Sequence, residues 1–358
     1  MTKLGYRRLR TDYCAYALKT SNDLSILIVW VDDINVFAKN RSTNEDLINK
    51  IKEKYEVTML GEPTLLLGIH IQHDREKRLI TLSQVQYIQK ILGKAGMSES
   101  KPVSMPMDPN VVLRETEGQN DVETTSRTSN EYATCIGELM YAAHATRPDI
   151  LYATVTLAQF TKNPSPTHWT ALKRVFRYLK GTTNHTLTYD GRRSSRIEPE
   201  RYTDADWAST AHRKSISGYV FTIAGGAVAW SSKKQSRIAL STAEAEYTAA
   251  VHTVKQVLWY RNLYQELDLP VETPSIVLSD NQAAISISHN PEFHARTKHI
   301  DIDMHFLRDH VQQGTIKLEY VPSASNLADI FTKALSRPSH NQITLLFGVL
   351  PGPGGVLG

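Results

Sequence analysis

From residue 200 onward, strand-like and helix-like apolar periods alternate along the chain, and this alternation restricts the fold more than any other feature. "RYTDADWAS" reads as a strand, "GYVFTIAGGAVAWSSK" as a hairpin over Gly225-Gly226, and "STAEAEYTAAVHTVKQVLWYRNLYQEL" as one long helix. "SIVLSD" reads as a strand feeding a helix at "NQAAISIS". "IDMHFLRDHVQQG" is a helix closed by Gly314, "IKLEYVP" a strand, and "NLADIFTKAL" a last helix. The order β-β-β-α-β-α-α-β-α predicts an α/β fold with a mixed sheet and flanking helices.

Carboxylates fall at telling points of this pattern. Asp204 lies within the first strand, and Asp206, two residues on, shares its face of the sheet. Asp280 closes "SIVLSD" at a strand-to-helix crevice, where α/β sheets bind ligands. Asp329 sits near the start of the last helix. Glu244 and Glu246 lie two apart on the long helix, so they point about 200° away from each other. Ser241 and Glu244 read as a capping box, which leaves Glu246 to face a site. Paired carboxylates from separate elements suit two-metal phosphodiester chemistry, in which ions about 4 Å apart stabilise the attacking water and the leaving oxygen. Mg²⁺ prefers such oxygen ligands. The bland alternative is a set of unrelated surface acids.

The first half reads differently. In "LIVWVDDINVFAK" two strand-like runs flank Asp32 and Asp33, with no glycine to ease the turn. Adjacent carboxylates are costly to keep ionised, and a metal ion would offset that cost. A solvated acidic turn is the alternative. Residues 45–55 predict an amphipathic helix, "LLLGIHIQHDREKRLITLSQ" a second hairpin, and "SQVQYIQKILGKAG" a helix ending near Gly96. Residues 98–130 read as a linker or long loop, and residues 131–181 as helices, with Pro148 and Pro166 at possible starts. Residues 184–198 read as loop, and the tail at 337–358, ending "LPGPGGVLG", as disordered. The strand pair comes almost at once, and a lone hairpin is marginal in water, so the N-terminal domain is expected to be incomplete.

Composition excludes several classes. A net charge of +4 imposes no global basic field. Cys14 and Cys135 are the only cysteines, which rules out a disulfide framework. No signal peptide and no membrane-spanning run is visible, so a soluble, intracellular protein with no membrane partner is expected. A zinc reading of His294, His299 and His305 lacks regular spacing and a fourth ligand. Arg213, Lys214, Lys233 and Lys234 flank the acidic set and suit phosphates, although a solvated basic face is their plain alternative. "HWTALKRVFRYLKGT" interleaves basic and aromatic residues on one helix, which suits contact with a nucleic-acid backbone and equally an ordinary amphipathic helix with a wet basic face. Trp207, Tyr219 and Trp230 read as core packing.

The motifs "YTDADWA", "SISGYVF", "WSSKKQ", "LSTAEAEY", "SDNQAAI", "RTKHIDI" and "LADIFTK" resemble the ribonuclease H domain of copia-type long-terminal-repeat retrotransposon polyproteins. "VWVDDINVFAKN" resembles the metal-binding hairpin of their reverse transcriptase, and "LLLGIHI", "LSQVQYIQKIL" and "ATRPDILYA" its downstream palm and thumb. The resemblance implies a partial palm at 1–97, a linker at 98–130, a helical thumb or connection at 131–198, a ribonuclease H-like domain at 199–336 and a tail at 337–358. It implies Asp204, Glu246, Asp280 and Asp329 as the catalytic, metal-binding set, with Mg²⁺ or Mn²⁺ as cofactor, and Asp32 and Asp33 as a vestigial polymerase site. The implied substrate is the RNA strand of an RNA–DNA hybrid, for whose backbone and 2′-hydroxyls Asn281 and Gln282 are then candidate contacts, and other Pol or Gag products are implied partners, in a cytoplasmic particle or the nucleus. Trp30 stands where the family has tyrosine, and the earlier palm aspartate is not found upstream, so no DNA synthesis is expected from this chain alone. A catalytically inactive nucleic-acid-binding remnant is the competing reading. A third, an active polymerase, would need the missing palm strand and fingers from another chain.

Overall fold

Short apolar strands in antiparallel register build the first of two units in the chain, which is described here by a computed structural model covering residues 1–20, 23–115, 122–194, 196–209, 213–289 and 298–352. This unit holds Met1–Thr64 and Lys255–Ser275. Its sheet runs β1 (Arg7–Arg8), β2 (Ala15–Lys19), β3 (Leu24–Trp30) and β4 (Asp33–Ala38), in that order. Trp30 pairs with Asp33, so Val31 and Asp32 form the turn, with Val31 at φ 53°. A β-branched residue adopts that left-handed value only at a cost, which a two-residue hairpin turn imposes. Helix α1 (Arg41–Lys52), displaced from the expected 45–55, sets Leu47 and Ile51 against Tyr6 and Leu27. Ala15 and Ala17 point to the opposite face and pack on Leu267, with Leu263 and Leu269 beside it. The Glu266 carboxylate accepts from the backbone of Arg10 (2.9 Å) and Thr11 (3.0 Å) and from the Thr11 hydroxyl (2.7 Å). The expected lone hairpin is thus a four-stranded sheet covered on both faces.

The second unit holds Leu65–Val254 and Ile276–Gly358. It opens with β5 (Leu65–Leu66), β6 (Ile69–Asp74) and β7 (Leu79–Ser83), followed by α2 (Val85–Lys94), α3 (Val122–Ala145), α4 (Leu151–Ala158) and α5 (Pro166–Gly181). Strand β8 (His185–Asp190) comes next. Then follow β9 (Glu200–Asp206), β10 (Ile216–Ile223), β11 (Gly226–Lys234), α6 (Thr242–Glu266, of which the residues from Lys255 belong to the first unit), β12 (Ser275–Ser279), α7 (Gln282–His289), α8 (Lys298–Gln312) and β13 (Ile316–Tyr320). A 3₁₀ turn (Leu327–Phe331), α9 (Arg337–Leu346) and β14 (Val349–Pro351) complete it. One sheet has the order β11-β10-β9-β12-β13 and the other β14-β8-β7-β6-β5. In the first, β9 is central, antiparallel to β10 and parallel to β12. This is the expected mixed α/β arrangement.

Four expectations need correction. The stretch 184–198 is not all loop, because β8 pairs with β7 and β14. The tail from 337 is ordered through residue 352: α9 and β14 bury Ile343, Phe347 and Val349 in the main core. Residues 353–358 lie outside the described residues. The linker ends sooner than residue 130, since α3 starts at Val122. "NLADIFTKAL", expected as the last helix, forms only a 3₁₀ turn at Leu327–Phe331. There Asn326 and Thr332 bond to nearby backbone groups, and such side chains compete with the helical ladder.

The helices expected as a thumb and the sheet around β9 share one core, in which Leu139, Ile150, Phe176 and Leu179 meet Val220, Phe331 and Phe347. Within it lies an ion pair from "ATRPDILYA". Fully buried Arg147 grips Asp149 through two bonds of 2.9 and 2.7 Å. The Tyr178 hydroxyl donates to the same carboxylate at 2.7 Å, and Thr182 accepts from the guanidinium through its carbonyl and hydroxyl oxygens. Satisfying both charges this fully is what makes their burial tolerable. No helix among the described residues is long and apolar enough to cross a membrane.

If the tail is part of this core, Phe347→Ala lowers the stability of the chain by about 3–5 kcal/mol in chemical denaturation. A loss below about 1 kcal/mol would mean that the tail does not seal the core.

Candidate active site

The site is assembled on the central strand. Asp204 in β9 pairs in register with Gly218 in β10. A Cβ on Gly218 would lie 2.7 Å from Thr332 Cγ2 and 2.9 Å from Phe331 Cβ. Glycine therefore lets the 3₁₀ turn carrying Asp329 settle onto the sheet beside Asp204. Thr332 anchors that contact by donating its hydroxyl to Asp204 Oδ2. Asn326 caps the turn by accepting from Ala328 N at 3.1 Å. Its amide donates to Thr203 O at 3.0 Å and reaches Asp280 Oδ1 at 3.4 Å.

Glu246 arrives from α6. Ser241 Oγ accepts from Glu244 N at 3.2 Å, and Glu244 Oε2 accepts from Leu240 N at 2.8 Å. Glu244 thus sits in the cap, one donor displaced from a standard capping box. Gln235 braces the same helix end, donating to Ala245 O and to Ser217 Oγ, both at 2.9 Å. Asp280 stands just beyond β12, where the parallel strand gives way to α7. Asp204, Glu246 and Asp280 each offer one carboxylate oxygen, and these atoms lie within 4.8 Å of one another. Asp329 joins them through Lys333, whose Nζ is 2.9 Å from Asp329 Oδ1 and 3.9 Å from Asp204 Oδ2.

The electrostatics follow from crowding in a low-dielectric place. Burial pushes Glu246 up to about 10, and the neighbouring Asp204 and Asp280 add to the shift. Asp329 rises to about 7, through burial first and then Asp204, with Lys333 opposing. Burial also raises Asp204, against the pull of Lys333 and the Thr332 hydroxyl. Asp206, on the same strand, is raised by burial as well but stands outside the close group. For Lys333, burial disfavours the ammonium, but Asp204 and Asp329 together outweigh it and hold the proton on. Glu246 Oε2 is buried with no hydrogen-bond partner. An all-oxygen donor set with an unpartnered buried carboxylate oxygen suits a hard divalent cation.

The other sequence candidates are placed as follows. Arg213 and Lys233 are exposed and Lys214 is half-buried. Lys234 is engaged, donating to Gln159 Oε1 at 2.8 Å. Asn281 accepts from Ala284 N at 2.9 Å and so caps α7, while Gln282 is exposed. Asp32 and Asp33 are exposed at the β3–β4 turn, and among the described residues no third potential metal ligand gathers with them. His294 lies outside the described residues, as does the side chain of His299, and His305 is exposed. Tyr219 is buried and Trp230 half-buried, but Trp207 is not core: it is 46% exposed, its indole donating to Ala239 O at 3.0 Å. Sequence reasoning missed Lys333, Gly218 and Gln235. Lys333 had a usable signal, standing four residues after Asp329.

A central strand bearing Asp204, flanked in the order β11-β10-β9-β12-β13 and met by acids from a helix, a strand end and a 3₁₀ turn, defines a ribonuclease H-like domain. Residues 1–109 match the family described as reverse transcriptase (RNA-dependent DNA polymerase). The chain is 37% identical over 354 residues to the retrovirus-related Pol polyprotein from transposon TNT 1-94 of Nicotiana tabacum, covering 98% of this chain and 26% of that protein. It is 33% identical over 351 residues to the corresponding polyprotein from transposon RE1 of Arabidopsis thaliana, covering 98% and 23% respectively. RNase H1 from Halobacterium salinarum matches at 17% identity over 38% of this chain and 93% of its own, with a TM-score of 0.26, a likeness too slight to lean on. The chain belongs to the retrovirus-related Pol polyprotein family of transposons, and its first 109 residues are reverse transcriptase sequence. It spans about a quarter of the length of these curated relatives.

Because Glu246 holds its proton more tightly folded than unfolded, its contribution is fully present below the unfolded value of 4.5 and is lost as pH rises toward about 10. The chain in chelator should therefore melt at lower temperature at pH 8 than at pH 5, and Glu246→Gln should flatten that dependence. A thermal-melt series with equal slopes for both forms would show that Glu246 is not the strained group.

Proposed function

We propose that the domain cleaves the RNA strand of RNA–DNA hybrids with the help of divalent metal ions, Mg²⁺ or Mn²⁺. The observation that carries this reading is the convergence of Asp204, Glu246 and Asp280 within 4.8 Å, with the buried Glu246 Oε2 unpartnered. Asp204, Glu246, Asp280 and Asp329 would hold the ions, which when bound supply an activated water and charge neutralisation at the leaving oxygen. The chain's own part is positional. Gly218, Asn326 and Thr332 fix Asp329 beside Asp204, and Gln235 fixes the end of α6 that carries Glu246. Exposed Lys233 and Arg213 would meet phosphates along the hybrid, whose shape and 2′-hydroxyls rather than bases would be recognised. Asn281 and Lys234 have structural partners, so they are weaker contact candidates. The same reading makes other Pol or Gag products natural partners.

DNA polymerisation is not part of the proposal. Asp32, in the turn, and Asp33, at the start of β4, are exposed, without a third ligand gathered beside them among the described residues. A remnant that binds nucleic acid without turnover is the competing outcome, and no observation in the structure favours it.

The test is cleavage of a strand-labelled hybrid in Mg²⁺ by the purified chain and by Asp280→Asn. The expected result is cutting of the RNA strand alone, lowered by about 100-fold or more in the variant. Hybrid binding by both without cleavage by either would establish the remnant instead.

A further inference from the structure

In the order β1-β2-β3-β4, strand β4 has a partner on one side only. Its register with β3 runs from Asp33 to Ala38 without a shift, so no bulge turns the edge away. The stretch from Ile34 to Ala38 holds no charge and no proline. Bulges, charges and prolines are the usual protection of an edge strand against pairing with another chain, and β4 lacks all of them between its ends. The opposite edge differs. Strand β1 is two residues long, and both are exposed arginines.

The turn sets the direction of the free groups. Trp30 and Asp33 close a two-residue hairpin as a hydrogen-bonded pair, and bonded and unbonded pairs alternate from there. Asp33, Asn35 and Phe37 therefore spend their backbone groups on β3. The phase continues at Lys39, whose N–H turns inward to Asp23 Oδ1 at 3.1 Å. The N–H and C=O groups of Ile34, Val36 and Ala38 point outward, and among the described residues they meet no protein partner. Side chains alternate in the same way, so Asp33, Asn35, Phe37 and Lys39 share one face with Trp30. The apolar cover on that face reaches Ala15, Ala17 and Ile26, but Trp30 stays 53% and Phe37 45% exposed.

We propose, independently of the nuclease reading above, that β4 pairs antiparallel with β4 of a second copy of this chain, about a two-fold axis through Val36, so that the two sheets become one. Among the registers that let outward groups face one another, only this one sets Asp33 opposite the partner's Lys39. Both residues are exposed, and the symmetry gives an ion pair at each end of the seam. Opposite charges at the two ends of an otherwise uncharged strand match an inverted copy of that strand, which favours a second copy over an unrelated chain. Val36 then opposes its own copy, and Ile34 opposes the partner's Ala38. Phe37 and its copy become diagonal neighbours, within reach of each other's rings. The arginines of β1 leave no second open edge, so assembly stops at two copies.

The experiment is sedimentation velocity of the full chain over a range of concentrations, with each variant checked for folding by circular dichroism. Wild type should show a monomer–dimer equilibrium. Asp33→Lys and Lys39→Glu should each weaken it by about tenfold or more, because each sets like charges opposite one another at both ends. An equal mixture of these two variants should regain dimers, as should the double variant Asp33→Lys/Lys39→Glu. Val36→Pro removes an outward N–H and no bond to β3, and it too should leave a monomer. A wild type that stays monomeric throughout overturns the proposal and leaves the edge to a strand of some other polypeptide. A dimer that neither charge reversal nor Val36→Pro weakens lies on another surface and overturns it as well. Charge variants that weaken the dimer but fail to recover on mixing overturn the register.

Discussion

Carboxylates repel one another most where they are least hydrated, and this site crowds four of them around one strand. Asp204, Glu246 and Asp329 are all buried, and burial is the leading cause of the raised values of each. Such an arrangement opposes folding and has to be held in place by everything around it. Gln235, Asn326, Thr332 and Lys333 each contribute a fixed contact to an acid or to the element that carries it. Stability comes from elsewhere, from an apolar core that joins α3, α4, α5 and α9 to the sheet, with the Arg147–Asp149 pair satisfied inside it.

Much of this was legible in the sequence. Strong periodicity disclosed β9, β10, β11, α6, β12 and β13 in order, and Asp204, Glu246 and Asp280 stood out because each lies where a strand or helix presents a side chain to a crevice. What stayed hidden depends on partners far along the chain. His185–Asp190 becomes a strand only because β7 and β14 pair with it, and neither is near in sequence. The tail looked unstructured because its glycines and prolines dominate the eye, yet Phe347 and Val349 precede most of them and find the core. Trp207 was misjudged for a similar reason. Its neighbours alternate as a strand should, but β9 ends at Asp206, which leaves the indole beyond the sheet.

The N-terminal unit teaches the complementary point. A hairpin bearing Asp32 and Asp33 looked insufficient to stand alone, and it does not: β1 and β2 extend it, α1 covers one face, and the leucines around Leu267 cover the other. Those leucines come from sequence more than 200 residues away, which no local pattern connects to the strands they protect. The bonds that the Glu266 carboxylate accepts from Arg10 and Thr11 add polar specificity to that long-range contact.

Gly218 carries a broader consequence. An acidic signature read from the sequence does not register the space that Asp329 needs beside Asp204. A change at this glycine would leave every acid in the reading frame and still deny Asp329 its seat, since any side chain there meets Thr332 and Phe331. Copies silenced in this way would pass a signature count as intact. A census of living and dead elements in this family therefore needs to score a residue that performs no chemistry at all.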